Sequence, residues 1–220
     1  MTLMITMLIS MKSLLGLVVF LLPIYSQLIY AQTCSYNTWR WNVHTRQTVK
    51  GERIVRDYEA LRPDERDANS GCTVCEEDQV KIDIAGLPVF HVCKFVAPQV
   101  KGAFLEIQRR GLPINSVVAY RVGRSRGKID ENGNRSGFSN HSFGLALDIN
   151  AEHNGLYTQC TSFGPQCVLS RGGVWQPGND PYSLSSTGDV VRIFKANGFK
   201  WGGEIAGKQK DFMHFSPSGY

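Results

Sequence analysis

The residues best able to do chemistry fall in two short segments, Ser139-Asn140-His141-Ser142-Phe143-Gly144-Leu145-Ala146-Leu147-Asp148 and Asp211-Phe212-Met213-His214-Phe215. Imidazoles and carboxylates are the side chains that ligate transition metals and that move protons near neutral pH. A metal with ligand bonds of ~2 Å needs its ligands within a few ångströms of one another. His141 and Asp148 stand seven residues apart, which is roughly 23 Å along a strand or about 10 Å along a helix. Both spans are too long. Joint action requires the chain to fold back between them, and Gly144 is the residue that tolerates the backbone angles needed. In the second segment a carboxylate and an imidazole are three residues apart among apolar neighbours. Taken alone, that spacing fits equally well a surface aspartate beside a satisfied core histidine.

Several elements must position these side chains. Leu145 to Ile149 alternates, with Leu145, Leu147 and Ile149 on one side and Ala146 and Asp148 on the other, which predicts a strand with Asp148 opposite its apolar face. Residues 97–110 read as an amphipathic helix: Pro98 sits where a first-turn proline is tolerated, Val100, Phe104 and Ile107 recur at helical spacing, and Gly111 supplies the stop. Ile114 to Tyr120 is a β-branched and aromatic run ending at Arg121, and residues 122–138, rich in Gly, Arg, Asn and Ser, read as a loop. Ser186-x-x-Asp189 has the form of a capping box, with Asp for the usual Glu, opening a helix that bears Val190, Val191 and Phe194 and ends near Asn197-Gly198. Phe199–Gly203 and Asp211–Phe215 read as short strand or turn pieces. Helices mixed with short strands, without regular βαβ alternation, indicate an α+β fold.

Together the two segments resemble the zinc peptidases that cut peptidoglycan stem peptides, the family of D-alanyl-D-alanine carboxypeptidases, D,D-dipeptidases and L-alanyl-D-glutamate endopeptidases. The signature of that family is S-x-H-x-x-G-x-A-x-D followed later by E/D-x-x-H. Ser139, His141, Gly144, Ala146, Asp148, Asp211 and His214 fill each fixed place, and Trp201-Gly202-Gly203 and Met213-His214-Phe215 are similar to the family's C-terminal end. The resemblance spans roughly residues 97–220. It implies Zn2+ held by His141, Asp148 and His214, with Asp211 as general base. Two histidines and one carboxylate leave a fourth zinc position open, as a catalytic site requires. Ala119-Tyr120-Arg121-Val122 matches the place of an oxyanion-steadying arginine, without the small flanking residues, so Arg124 and Arg126 are rivals to Arg121. Ser139 is expected to bind substrate or to brace His141. The architecture expected is a small antiparallel sheet flanked by helices, with the zinc site at the sheet.

Within that family an aspartate base is similar to the endopeptidase-like members, which tilts the expected cleavage towards the L-Ala–D-Glu bond. A D-alanyl-D-alanine carboxypeptidase is the alternative. Hedgehog signalling domains resemble the family in fold and zinc site, so a non-catalytic binding module is a further reading, against which Asp211 counts. His44, His91 and His153 read as structural.

The whole chain frames these expectations. It has 220 residues, 42% hydrophobic and 20% charged, enough for a real core. Its formal net charge of +5 comes without any basic cluster, which argues against a nucleic-acid partner and suits an anionic surface such as a cell wall. Residues 1–31 carry one charge, Lys12, then the apolar run Leu14 to Ile24 and a small residue, Ala31, which reads as a signal peptide. Met11-Lys12 would make a more usual start than Met1. Export to the periplasm or beyond is expected, with membrane attachment only if this segment stays uncleaved. Six cysteines after residue 31 then argue for disulfides, with Cys160 paired to Cys167 across a short Gly-Pro loop. Cys34, Cys72, Cys75 and Cys93 allow three pairings. Residues 32–95 form a polar, disulfide-stapled N-terminal elaboration, and residues 96–220 form the peptidase domain.

Overall fold

In the computed structural model, which describes residues 32–219, the two chemical motifs become neighbouring strands. The order is β1 (Thr33–Asn42), β2 (Gln47–Asp57), β3 (Gln79–Ile82), β4 (Phe90–Cys93), α1 (Ala97–Arg109), β5 (Val117–Val118), β6 (Gly123–Ile129), β7 (Arg135–Phe138), β8 (Leu147–Ile149), β9 (Leu156–Thr158) and β10 (Val168–Arg171). After these come α2 (Asp189–Ala196), β11 (Lys200–Trp201), β12 (Gln209–Asp211) and β13 (His214–Ser216). Mixed helices and small sheets match the α+β expectation. The sheet orders are β2-β1-β6-β7, β11-β13-β8-β5 and β10-β9-β12, with β3 and β4 paired separately.

The antiparallel sheet β11-β13-β8-β5 is the floor of the site. Leu147 and Ile149 of β8 and Phe215 of β13 point into a core with Val100, Phe104 and Ile107 of α1 and Val191 and Phe194 of α2. The Phe194 ring lies 5.4 Å from Phe104 and 4.5 Å from Phe215, so both helices are locked to the sheet through one aromatic chain. Because side chains alternate along a strand, Asp148 and His214 point away from that core. Helix α1 begins and ends as its sequence predicts, with Gly111 at a positive φ of 63°.

Three expectations change. Residues 122–138 are a β-hairpin rather than a loop: β6 pairs with β7 and, in parallel, with β1 at Trp39↔Gly123 and Arg40↔Arg124. The hairpin partner β7 is close in sequence, but neither strand carries the apolar alternation that would announce it, and the second partner, β1, lies far upstream. Gly123 is needed there because a side chain would run into the Trp39 ring. The capping box does not form. Helix α2 starts at Asp189 with Gly188 as N-cap and no side-chain cap, and Asp189 instead meets Arg192 and Arg110. The run Ile114–Tyr120 is mostly irregular, with only Val117–Val118 in a strand.

All six cysteines are bridged, as Cys34–Cys75, Cys72–Cys93 and Cys160–Cys167. The first two close within residues 32–95, so they brace that segment internally. The segment is joined to residues 96–220 by the β1–β6 pairing and by backbone bonds from Tyr120 N to His91 O and from Cys93 N to Gly144 O. The signal-peptide reading concerns residues 1–31, outside the described residues. No helix among the described residues is long and apolar enough to cross a membrane.

Candidate metal centre

Strands β8 and β13 pair antiparallel with His214 directly opposite Asp148 and Phe215 opposite Leu147. Residues far apart in sequence are thereby fixed side by side on one sheet face. The third group arrives by the expected fold-back. Asn140–Phe143 forms a 3-10 turn that Gly144 ends in the left-handed region, φ 65° and ψ 24°. A Cβ at Gly144 would also collide with the Gln79 side chain and approach Cys93 N to 2.5 Å. The turn swings His141 over β8, and its ring centroid lies 5.2 Å from that of His214.

His141, Asp148 and His214 are all buried, at 4%, 7% and 4% exposure, which is unusual for such groups unless they share a partner. Asp148 Oδ1 is 3.1 Å from His141 Nε2 and 3.1 Å from His214 Nδ1. Three ligand atoms, one from each residue, lie within 4.8 Å of one another. Tetrahedral zinc with ~2 Å bonds separates its ligand atoms by about 3.3 Å, so the spacing fits. The chemistry of the donors fits as well. His141 Nδ1 is 2.8 Å from the Ala119 carbonyl, which can only accept, so Nδ1 carries the proton. In the neutral ring Nε2 then presents a lone pair to a carboxylate, an arrangement that calls for a cation between them. His214 Nε2 is buried and has no hydrogen-bond partner among the described residues. Burial alone would raise the Asp148 pKa, but positive charge on His141 and then on His214, the charge a shared cation would otherwise supply, outweighs it and holds the carboxyl well below its usual range.

Asp211 reaches the same cavity from another sheet. It ends β12, paired with Leu156 of β9, and the Phe212-Met213 link turns the chain into β13. That link is pinned by Trp201 Nε1 donating to Phe212 O at 2.8 Å, by Ile149 N donating to Met213 O at 2.9 Å and by the Phe212 ring stacked 3.7 Å from Trp175. Asp211 Oδ1 is buried without a partner among the described residues. Burial first, and then the Asp148 carboxylate, push its pKa up to about 6, against the pull of His214, Arg126 and Arg171. A carboxyl titrating there suits proton transfer near neutral pH.

Arg121 lines the cavity and donates from Nη2 to Asp148 Oδ2 at 3.0 Å, while its backbone N–H meets the His141 carbonyl at 3.1 Å. Arg126 also lines the cavity. Arg124 is turned elsewhere, 3.0 Å from Asp64 and with its guanidinium 3.9 Å from the centre of the Phe138 ring. Ser139 is buried at the cavity wall, with its Oγ 3.5 Å from Ser142 Oγ. Ser142, rather than Ser139, clamps the turn, its hydroxyl bonding both N and O of Gly123 at 3.0 Å. His153 sits outside this centre, 2.7 Å from Asp180.

The cavity measures about 450 Å³ and includes residues that no motif announced, among them Trp41, Arg135, Leu156 and Arg171. They come from the N-terminal segment, the β6–β7 hairpin and the long connection before α2, where composition carries no chemical signal. Gly202 belongs to a family-like run in which the sequence assigned it no role. A Cβ there would overlap the Asp211 carbonyl oxygen and come within 3.1 Å of His214 Cβ, so only glycine lets the turn after β11 lie against the link between β12 and β13.

Two imidazoles, a carboxylate and a separate buried carboxyl facing one cavity define a candidate hydrolytic metal centre. Residues 132–217, which hold all four side chains, match the family model described as D-alanyl-D-alanine carboxypeptidase, a family of zinc peptidases. The match begins after α1, Arg121 and Arg126, and so covers less than the stretch from residue 97 that the motifs suggested. No curated protein and no solved structure matches the chain.

Proposed function

We propose that this protein is an exported zinc peptidase that cleaves peptidoglycan stem peptides, with His141, Asp148 and His214 as zinc ligands and Asp211 as general base. The family match supports zinc-dependent peptidase chemistry on peptidoglycan in general. The observation that carries the finer reading is the convergence of the three buried donors with the unpartnered Asp211 Oδ1 facing the same cavity.

Zinc, when bound, supplies Lewis-acid polarisation of the scissile carbonyl and acidifies water at its open position. The chain's own residues do the rest. Ala119 O holds the His141 ring in the tautomer that leaves Nε2 free. Arg121 Nη2 neutralises and orients Asp148, and its remaining N–H groups are placed to steady negative charge developing on the carbonyl oxygen. Asp211 takes a proton from the attacking water at its carboxylate and returns it to the leaving amine. Ser139 at the cavity wall contacts the peptide. The aspartate base favours cleavage between L-Ala and D-Glu over removal of the terminal D-Ala. Three disulfides in one chain favour an oxidising compartment and hence export.

Mass spectrometry of purified muropeptides incubated with the zinc-loaded protein tests this reading. An endopeptidase releases the stem as a peptide beginning at D-Glu, whereas a carboxypeptidase shortens it by one D-Ala. A protein that holds zinc and cleaves no stem of any length is a binding module.

A further inference from the structure

The cavity is far more cationic than a metal centre needs. Four guanidinium groups line it, those of Arg121, Arg126, Arg135 and Arg171, against the carboxylates of Asp148 and Asp211. Arg121 is already committed to Asp148. Arg126 and Arg171 both act on Asp211 through space. Neither Arg135 nor Arg171 makes an ion pair among the described residues. Arg135 donates from Nη1 to Gly127 O at 2.8 Å, which ties its fork to the hairpin. Arg171 lies with its guanidinium 5.3 Å from the centre of the Trp41 ring. A cation over an aromatic face leaves its N–H edge available to an anion. Trp41 belongs to β1, in the N-terminal segment and outside the family match, while Arg171 ends β10. Their contact closes one side of the cavity by joining two different sheets.

We propose that Trp41, Arg126, Arg135 and Arg171 form an anion subsite that selects peptides bearing a carboxylate apart from the scissile bond, and that the N-terminal segment sets this specificity through Trp41. The subsite rests on the reading of the cavity as a peptide-binding one. Arginine is the suitable cation, because its planar fork grips a carboxylate with two parallel hydrogen bonds where lysine offers a point charge. A neutral peptide in this cavity would leave Arg135 and Arg171 without an ion pair among the described residues, whereas a carboxylate on the ligand supplies one. Stem peptides offer such groups on their D-Glu and terminal residues, so the subsite predicts a preference for acidic over amidated stems.

Binding is measured by calorimetry on zinc-loaded Asp211→Asn protein, in which turnover is suppressed. The probes are two acid–amide pairs: L-Ala-γ-D-Glu-L-Lys-D-Ala against the same peptide with its glutamyl α-carboxyl amidated, and N-acetyl-Ala-Glu-Ala-amide against its Gln counterpart. The acid member of each pair is expected to bind about tenfold tighter, a typical effect of one charge-assisted contact, and the preference should shrink as salt rises. Adding Arg135→Gln and Arg171→Gln together should reduce the preference to about twofold with zinc content unchanged, since neither residue is among the three converging donors. Trp41→Leu, which keeps bulk and removes the ring face, should lower it part way. Equal binding of acid and amide by the parent protein, or an undiminished preference in the double arginine variant with zinc intact, overturns the subsite. If the wild-type protein cleaves no muropeptide while the acid preference holds in both pairs, the peptidase reading fails and the subsite stands.

Discussion

Replacing Asp211 by asparagine separates proton transfer from metal binding in a single atom change. Asp211 is not one of the three converging donors, and asparagine has nearly the same size, so zinc and fold should survive. Its carboxyl, pushed up to about 6 by burial and by Asp148, must be ionised to accept a proton. A bound cation favours the carboxylate in the same sense as His214, Arg126 and Arg171 do, so in the zinc-loaded enzyme the group ionises at or below that value. The rate should therefore rise with pH along an acid limb at or below about pH 6 and then level off. Asparagine cannot take the proton, and loss of a positioned base costs ~10²–10⁴ in rate, equivalent to roughly 3–5 kcal/mol of barrier. The assay is kcat for stem-peptide cleavage from about pH 4 to pH 8, with zinc per chain determined at every point, because protonation of His141 or His214 would release metal and mimic the limb. An Asp211→Asn protein that keeps its zinc and cleaves at the wild-type rate refutes the assignment of the base. So does a variant that is slow but retains the acid limb with zinc intact, since the limb would then belong to another group.

Asp148→Asn and His141→Ala should each lose most of the zinc, read by elemental analysis after reconstitution, because either change removes one of three protein donors and leaves the others without a common ion. In the metal-free protein the raised Asp211 pKa makes folding bind an extra proton between about pH 4 and pH 6, so stability falls as pH rises through that window, by on the order of 2–3 kcal/mol, and Asp211→Asn should flatten the change in melting temperature. Gly202→Ala should reduce both zinc content and thermal stability, since its Cβ overlaps the Asp211 carbonyl, whereas Gly207→Ala, with nothing within 4 Å of its Cβ, should leave the zinc in place despite its positive φ. Loop-closure entropy ranks the bridges: removing Cys34–Cys75, separation 41, should cost about 4 kcal/mol and removing Cys160–Cys167, separation 7, about 2 kcal/mol, measured by denaturant titration of the paired Cys→Ala variants.

What the sequence made legible was the part of the site whose constraints are local. Between His141 and Asp148 the distance argument demanded a reversal, and only Gly144 could make it; the observed φ of 65° is that reversal. The alternation Leu147-Asp148-Ile149 likewise fixed which way Asp148 points, because burying the two apolar neighbours leaves it no other side. The surrounding wall was illegible for the complementary reason. Arg124, Ser125 and Arg126 have no apolar periodicity, and the strand they form is held by β7 of the hairpin and, at Gly123 and Arg124, by β1, a segment with no motif of its own. That pairing sets which arginine faces the cavity: Arg126 does, while the stack on Phe138 of β7 and the bond to Asp64 hold Arg124 away. The family-like run put Arg121 first with Arg124 and Arg126 as rivals, and register in the β6–β7 hairpin separates the two rivals. Candidate metal donors can thus be found from a motif because metal geometry restricts their spacing. The residues that sort one substrate from another are held by pairings between distant segments, so Trp41 and Arg171 meet only once the fold is known.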